Sequence, residues 1–293
     1  MNKKKEKQKM KKIISLILAV VMMLSCAFAL ASCGGNESNL KFGKEFTPLG
    51  SQMDVLLKLN AKSIDVGVMD SVMAGYYMSK DTTYANSLMI VEDLVLATEQ
   101  YGIAARKGSG LAKKINETLI ALAKDGTIDT IADKYGLKSE ICIDKDAKVE
   151  ELTESEMADW EYIVENGKFI VGYTLFAPIA YKENDELIGF DIELAKAVAE
   201  KLELEVQFEL IDWNAKEAKL EAKAIDCIWN GMTITEERLE MMEISIPYMN
   251  NKQVAVIRKD DADLYKTTED MKNAIVGAED GSAGMSCVVA EEE

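Results

Sequence analysis

The sequence predicts an α/β fold built as two similar lobes with a cleft between them. Three observations carry this expectation. Short apolar runs alternate with helical periodicities through most of the chain after residue 40. A seven-residue pattern occurs twice, as Leu59-Asn60-Ala61-Lys62-Ser63-Ile64-Asp65 and as Leu220-Glu221-Ala222-Lys223-Ala224-Ile225-Asp226. Each copy reads as a helix end entering a short strand. Five residues past each aspartate stand Asp70 in one copy and Gly231 in the other. Two equivalent strand ends would therefore face one cleft.

Composition narrows the function classes. The 293 residues are 48% hydrophobic, enough for a real core, and the net charge is −17. Seven lysines and one glutamate fall in the first 33 residues, leaving 50 acidic against 27 basic residues in the remainder. Such a surface repels nucleic acid, so no nucleic-acid partner is expected. There is no histidine, which removes Ser-His and Cys-His catalysis and His-ligated zinc. No metal or other cofactor is expected.

The chain opens with a lysine-rich segment over residues 3–12 and an apolar run from Ile13 to Leu30, followed by Leu30-Ala31-Ser32-Cys33. Basic, apolar and small-residue regions in that order form a secretory leader. Cys26 leaves with such a leader, and Cys142, Cys227 and Cys287 remain without C-x-x-C spacing. Cys227 sits in an apolar run and reads as a small core residue.

Met53 to Leu59 reads as a helix, Ile64 to Met69 as a strand ending at Asp70, and Met73 to Met78 as a helix. Leu88 to Val91 and Tyr101 to Lys107 read as two strands. Helices follow over Leu111 to Ala123 and from Thr127 to Gly136. Residues 138–159 are charged and weakly periodic and read as a linker. Phe169 to Gly172 is a strand, Tyr173 to Tyr181 an aromatic loop around Pro178, and Asp191 to Leu202 a helix. Glu205 to Leu210 alternates as a half-buried strand does. Ile275 to Glu279 is a strand, and Gly281-Ser282-Ala283-Gly284 a loop into a helix.

Chemistry concentrates between Ile225 and Tyr248. Cys227 to Trp229 reads as a buried strand and Asn230-Gly231-Met232-Thr233 as a small-residue loop. An acidic helix start then carries Arg238. A guanidinium fork, a threonine hydroxyl and bare backbone beyond one strand end suit a carboxylate. A solvated surface arginine is the competing reading.

GMTITEER followed by ISIPY resembles the extracytoplasmic solute-binding proteins for polar amino acids, family 3, the capture subunits of ABC importers. FIVGYTLFAPIAY, LIGFDIELAKAVAEKL and IDW resemble that family's opening, whereas YGIAARKG and DGTIDTIADKYG resemble its end. The family's end precedes its beginning, so the resemblance implies a circularly permuted chain. Residues 1–33 would be a lipoprotein signal with Cys33 acylated at a lipobox, and residues 34–44 a tether. Residues 45–137 would hold most of lobe 2 with the family's C-terminal helices, 138–159 the linker, and 160–250 lobe 1. Residues 251–293 would be a hinge strand and the start of lobe 2.

The implied fold is the type II periplasmic-binding-protein fold: two mixed sheets flanked by helices, with crossing strands near 251–258 and 100–107. The implied ligand is a free amino acid, and the implied partner an ABC permease beside a lipid anchor on the outer face of the cell membrane. A zwitterion needs two counter-charges, since burying either end unpaired costs several kcal/mol. Arg238 would take the carboxylate with Thr233, the Gly231 backbone, and the Ser282–Ala283 loop at a helix start. Asp70 would take the ammonium; its competing role is a helix N-cap. Phe176 and Trp213 would form aromatic walls, or else be core residues.

Tyr173 stands near a position where the family often has an aspartate for the ammonium. Glu279 falls where the family meets the ligand side chain, which favours a cationic or neutral polar amino acid. Two other readings stay open: a domain-swapping remnant of a tandem receptor, and a dehydratase on the same fold.

Overall fold

The computed structural model describes residues 39–80 and 82–290. The leader, the lipobox with Cys33 and residues 34–38 of the tether lie outside the described residues. The elements run β1 (Glu45–Leu49), α1 (Gln52–Asn60), β2 (Val66–Asp70), α2 (Ser71–Lys80), α3 (Thr82–Ser87) and β3 (Leu88–Arg106). Next come α4 (Leu111–Lys124), α5 (Thr127–Tyr135), α6 (Glu154–Asn166), β4 (Lys168–Tyr173), β5 (Tyr181–Glu183) and β6 (Glu186–Ile188). They are followed by α7 (Phe190–Lys201), β7 (Glu205–Leu210), α8 (Lys216–Glu221), β8 (Cys227–Thr233), α9 (Glu236–Met241) and β9 (Met242–Ile244). The last are β10 (Met249–Arg258), β11 (Ile275–Glu279) and α10 (Ala283–Val288).

The fold is α/β of the type II periplasmic-binding kind, with mixed sheet and flanking helices. One feature departs from two separate sheets. The strands follow one continuous order, β1-β11-β2-β10-β3-β8-β4-β7, with β9 paired to β3. The joint is β3, which was expected as two strands and is a single strand of 19 residues. Its first part pairs antiparallel with β10, and its last residues pair with β8 and β9. Pairing passes from β10 to β8 at Tyr101; an irregularity around Asp93, whose φ is 59°, interrupts the β10 ladder, and a second between Gly102 and Ala104 interrupts the β8 ladder.

The repeated heptapeptide builds the same device in each lobe. Lys62 and Lys223 both turn the chain with left-handed backbone, at φ 58° and 57°. Asp226 accepts the Ile170 N–H at 2.9 Å and the Arg106 guanidinium at 3.1 Å. Asp65 accepts the Ile275 N–H at 3.0 Å and the Arg258 guanidinium at 3.0 Å. Arg106 closes β3 and Arg258 closes β10, so each aspartate pins a parallel strand pair to a strand that runs between the lobes. From these anchors β2 delivers Asp70, and β8 delivers Gly231, to the cleft.

The last six residues of the expected linker over 138–159 are instead the start of a helix. Thr153 and Glu156 form a reciprocal capping box that starts α6 at Glu154. Asp159 on that helix pairs with Arg106 at 3.1 Å and accepts the Ser109 hydroxyl at 2.5 Å. The charge run had hidden a helix whose acids are partly spent inside the fold. Helices α4 and α5 pack on α7 of lobe 1. At the other side, β1 lies parallel to β11, and Leu40 bridges Val289 with the Lys41 N–H donating to Val288 O at 2.7 Å. Among the described residues, no helix is long and apolar enough to cross a membrane.

Candidate functional site: an interlobe cleft

Nine of the ten expected ligand-contact residues line one cavity. Lobe 1 contributes Phe176, Trp213, Gly231, Thr233 and Arg238, and lobe 2 contributes Asp70, Glu279, Ser282 and Ala283. The cavity is nearly closed in this structure, at about 30 Å³, so a ligand the size of an amino acid needs the lobes to part. Cross-lobe contacts hold the cleft together: the Trp213 indole donates to Gly281 O at 3.2 Å, and the Asn214 amide to Asp280 at 2.9 Å. The Tyr76 and Tyr181 rings, with centroids 5.7 Å apart, line an adjoining cavity that shares Thr174, Phe176, Trp213 and Glu279 with this one.

Arg238 is not a solvated surface residue. It is 9% exposed, and α9 presents it from a helix capped by Thr235. Its guanidinium donates to Thr233 O at 2.7 Å and Gly281 O at 3.4 Å. The Trp213 ring centroid lies 5.8 Å from it. Among the described residues it has no carboxylate partner within salt-bridge distance. Burial pulls its pKa down from the ordinary arginine value, while Glu217, Glu99, Glu237 and Asp70 act in the opposite direction. A buried guanidinium with N–H groups in hand and no internal acid is a receptor for an anion.

Asp70 is 5% exposed, and its carboxylate does not cap α2. Oδ1 accepts the Tyr101 hydroxyl at 2.6 Å, the Gln253 amide at 3.1 Å, and the Asn251 amide. Oδ2 accepts the Gln52 amide. Burial and the nearby Glu99 carboxylate hold Asp70 well above the usual carboxylate range. Asn251 and Gln253 donate to both acids, so amides bridge them.

Three expected details are corrected. Asn230 to Thr233 is not a loop but the end of β8. Gly231 keeps its special backbone there, with φ 60°; an added Cβ would lie 2.8 Å from Phe176 and 3.0 Å from Tyr101. The Gly231 N–H is not free for a ligand, because it donates to Asp191 Oδ2 at 2.9 Å. Tyr173 faces away from the cleft and packs on Phe208, Ala180 and Ile192. Strand alternation explains this: β4 turns Tyr173 to the helix side, and the next residue, Thr174, lines the cavity. The Ser282 hydroxyl is engaged as the α10 cap, accepting from Met285 N at 3.2 Å and donating to Glu279 O at 2.7 Å.

Thr174, Asn230 and Gln52 line the cavity and were not anticipated. The period-2 pattern could have found Thr174, and adjacency to Gly231 could have suggested Asn230. Nothing local singles out Gln52, which enters through the fold of lobe 2. Asp191 was also missed: it is buried, pushed up to about 7 by burial, and braced by the Tyr248 hydroxyl at 2.9 Å. Glu279 is likewise raised to about 7 by burial, with Lys216 drawing it down.

Residues 169–280 match the model of the bacterial extracellular solute-binding proteins, family 3. The chain belongs to that family. The arginine-binding extracellular protein ArtP of Bacillus subtilis (strain 168) is 35% identical over 116 residues, which are 39% of this chain and 45% of ArtP. The L-cystine-binding protein TcyJ of Escherichia coli (strain K12) is 31% identical over 117 residues, 39% of this chain and 44% of that protein. The arginine-bound form of domain 1 from TmArgBP is 32% identical, over 38% of this chain and 93% of that one, with a TM-score of 0.30. The chain thus spans less than half the length of the curated family members it matches.

Proposed function

We propose that this family 3 chain is the substrate-binding lipoprotein of an ABC importer, capturing a polar amino acid between its lobes for a membrane permease. The observation that carries this reading is Arg238: buried, without an internal acid, and lining the same cavity as Asp70. A carboxylate on Arg238 and an ammonium in the field of Asp70 together satisfy a zwitterion only when both lobes contribute. Glu279, Trp213 and Phe176 favour a cationic side chain. The named binding activities of ArtP and TcyJ support the amino-acid class.

The protein binds its ligand without converting it. The chain acts outside the cytoplasm, held by lipid on Cys33. The permuted order is part of the same proposal. The Leu40–Val289 bridge and the β1–β11 pairing support it, because the two segments meet where an unpermuted chain would be continuous.

A thermal-shift screen of the twenty amino acids and L-cystine on the purified chain tests this. A ligand at about 100 times its Kd stabilises by about 2.7 kcal/mol, a shift of roughly 5–10 °C for a domain of this size. At least one polar amino acid should produce it. No shift with any of them overturns the reading, and turnover of a bound ligand overturns its non-enzymatic part.

A further inference from the structure

Asp191 stands in the first turn of α7 at 1% exposure and does not line the cavity. Its Oδ2 accepts two donors, the Gly231 N–H at 2.9 Å and the Tyr248 hydroxyl at 2.9 Å. Its Oδ1 is buried without a hydrogen-bond partner among the described residues. Burial raises the carboxyl, and the groups that oppose the rise are neutral: the Tyr248 hydroxyl, the Gly231 N–H and the Trp229 indole. A buried acid with no cation to hold it costs stability that an apolar side chain of the same shape would not. Core packing therefore does not account for an acid here.

The two donors belong to different parts of the fold. Gly231 is a left-handed turn near the cavity end of β8, and the Phe176 and Tyr101 rings close over it. Two residues on, Thr233 O accepts the Arg238 guanidinium at 2.7 Å. Glycine has no side chain to resist rotation of that turn, and a rotation there would carry Thr233 O away from Arg238. Tyr248 stands directly before β10, and its N–H donates to Tyr101 O in β3 at 3.0 Å. Strands β3 and β10 run between the lobes. One oxygen of Asp191 thus ties the turn that leads to Arg238 to the root of the hinge.

We propose that Asp191 is a positioning residue for the arginine of the cleft: it locks the Gly231 turn against Tyr248, so that Thr233 O and Arg238 keep their aim while the lobes part and close. The assignment rests on the reading of Arg238 as the carboxylate receptor. Asp191 touches no ligand atom and acts through the backbone of β8. Its loss therefore weakens ligands that carry a carboxylate and spares those that lack one.

The test compares three variants: Asp191→Leu keeps the branching and removes both acceptors, Asp191→Ala removes the group, and Asp191→Asn keeps one acceptor oxygen for the two donors. The probes are L-arginine against agmatine and L-histidine against histamine, pairs that differ only in the carboxylate, measured by calorimetry with competition for weak binders. Asp191→Leu and Asp191→Ala should weaken the amino acid about 10- to 100-fold and its amine by less than about threefold. Asp191→Asn should recover at least about fivefold of that loss. Hydrogen exchange over residues 231–238 gives a readout that needs no ligand: protection should fall in the leucine and alanine variants and return in the asparagine variant. An equal loss for amino acid and amine, no loss for either, or an asparagine variant as weak as the leucine one would mark Asp191 as merely structural and overturn the proposal. So would failure of both the leucine and alanine variants to fold. If neither L-arginine nor L-histidine binds the unsubstituted chain, the exchange pattern decides: protection lost and regained keeps Asp191 as the lock on β8, and unchanged protection overturns it. The absence of any ligand in the amino-acid screen is a separate result, which overturns the wider function.

Discussion

Replacing Arg238 by methionine separates a ligand-binding charge from a structural one. Methionine keeps most of the side-chain length and removes the guanidinium. The structure sets two separate expectations. For binding, the fork has five N–H donors, and the protein uses two of them, on Thr233 O and Gly281 O. The rest are available for a carboxylate, whose charge-assisted bonds are worth about 1.5–3 kcal/mol each. Losing two such bonds costs roughly 3–5 kcal/mol, or a fall in affinity of about two to three and a half orders of magnitude.

For stability, the guanidinium is buried and has no acid partner within salt-bridge distance among the described residues. Retaining a buried charge costs several kcal/mol, and its two charge-assisted carbonyl bonds return about 1.5–3 kcal/mol each. The two nearly cancel, so Arg238→Met should leave the ligand-free protein within about 2 kcal/mol of its original stability, a change of at most roughly 8 °C in Tm. Calorimetric titration with L-arginine and L-histidine reads the first quantity, and ligand-free thermal melts read the second. Binding retained within tenfold would refute the carboxylate assignment. A ligand-free loss above about 2 kcal/mol would show that the arginine is a structural strut.

The remaining expectations concern proton linkage and the paired anchors. Glu279 titrates near pH 7 because burial raises it, so affinity for L-arginine should climb between about pH 6 and 8, and Glu279→Gln should flatten that climb. The same shift acts oppositely on folding. Its folded pKa lies above the ordinary value of about 4.3, so its contribution to stability falls as pH rises from about 4 to about 7 and is level beyond that; the glutamine variant should show a shallower fall in denaturant midpoint across that window. A pH-independent affinity in the unsubstituted chain would count against Glu279 as a contact for a cation. Asp226→Ala should cost about 1–3 kcal/mol through the lost bonds to Arg106 and the Ile170 N–H, with Arg106 keeping Asp159 as its other acid. Asp65→Ala should cost less, because the Asp65–Arg258 pair is more exposed than its counterpart, at 32% and 14% against 6% and 9%. Equal chevron or urea-melt losses for the two would contradict this reading of the repeat.

Local chemistry made much of this protein legible in one dimension. Periodicity located the helices α4 and α7 and the strands β2, β4 and β7, since burying one face imposes a spacing that needs no knowledge of the partner. The repeated heptapeptide announced two lobes, because a lysine in left-handed conformation, a short strand and a pinning aspartate form a local device. Arg238 and Asp70 were identifiable from residue type and position at strand ends, and Glu279, Phe176 and Trp213 through the family resemblance; all five line one cavity.

Tertiary structure decided what depends on who stands opposite. Whether β3 was two strands or one turned on β10 and β8 lying at its two ends. Whether residues 154–159 were linker or the start of a helix turned on Arg106 waiting for Asp159. The fate of each polar group was least visible in the sequence: the Gly231 N–H is given to Asp191, three donors crowd Asp70 Oδ1 while Gln52 alone reaches Oδ2, and the carbonyl of Asn230 has no partner among the described residues. Hydrogen-bond capacity belongs to a residue, but how it is spent is settled by neighbours 18 to 183 positions away, brought into contact only when the chain folds.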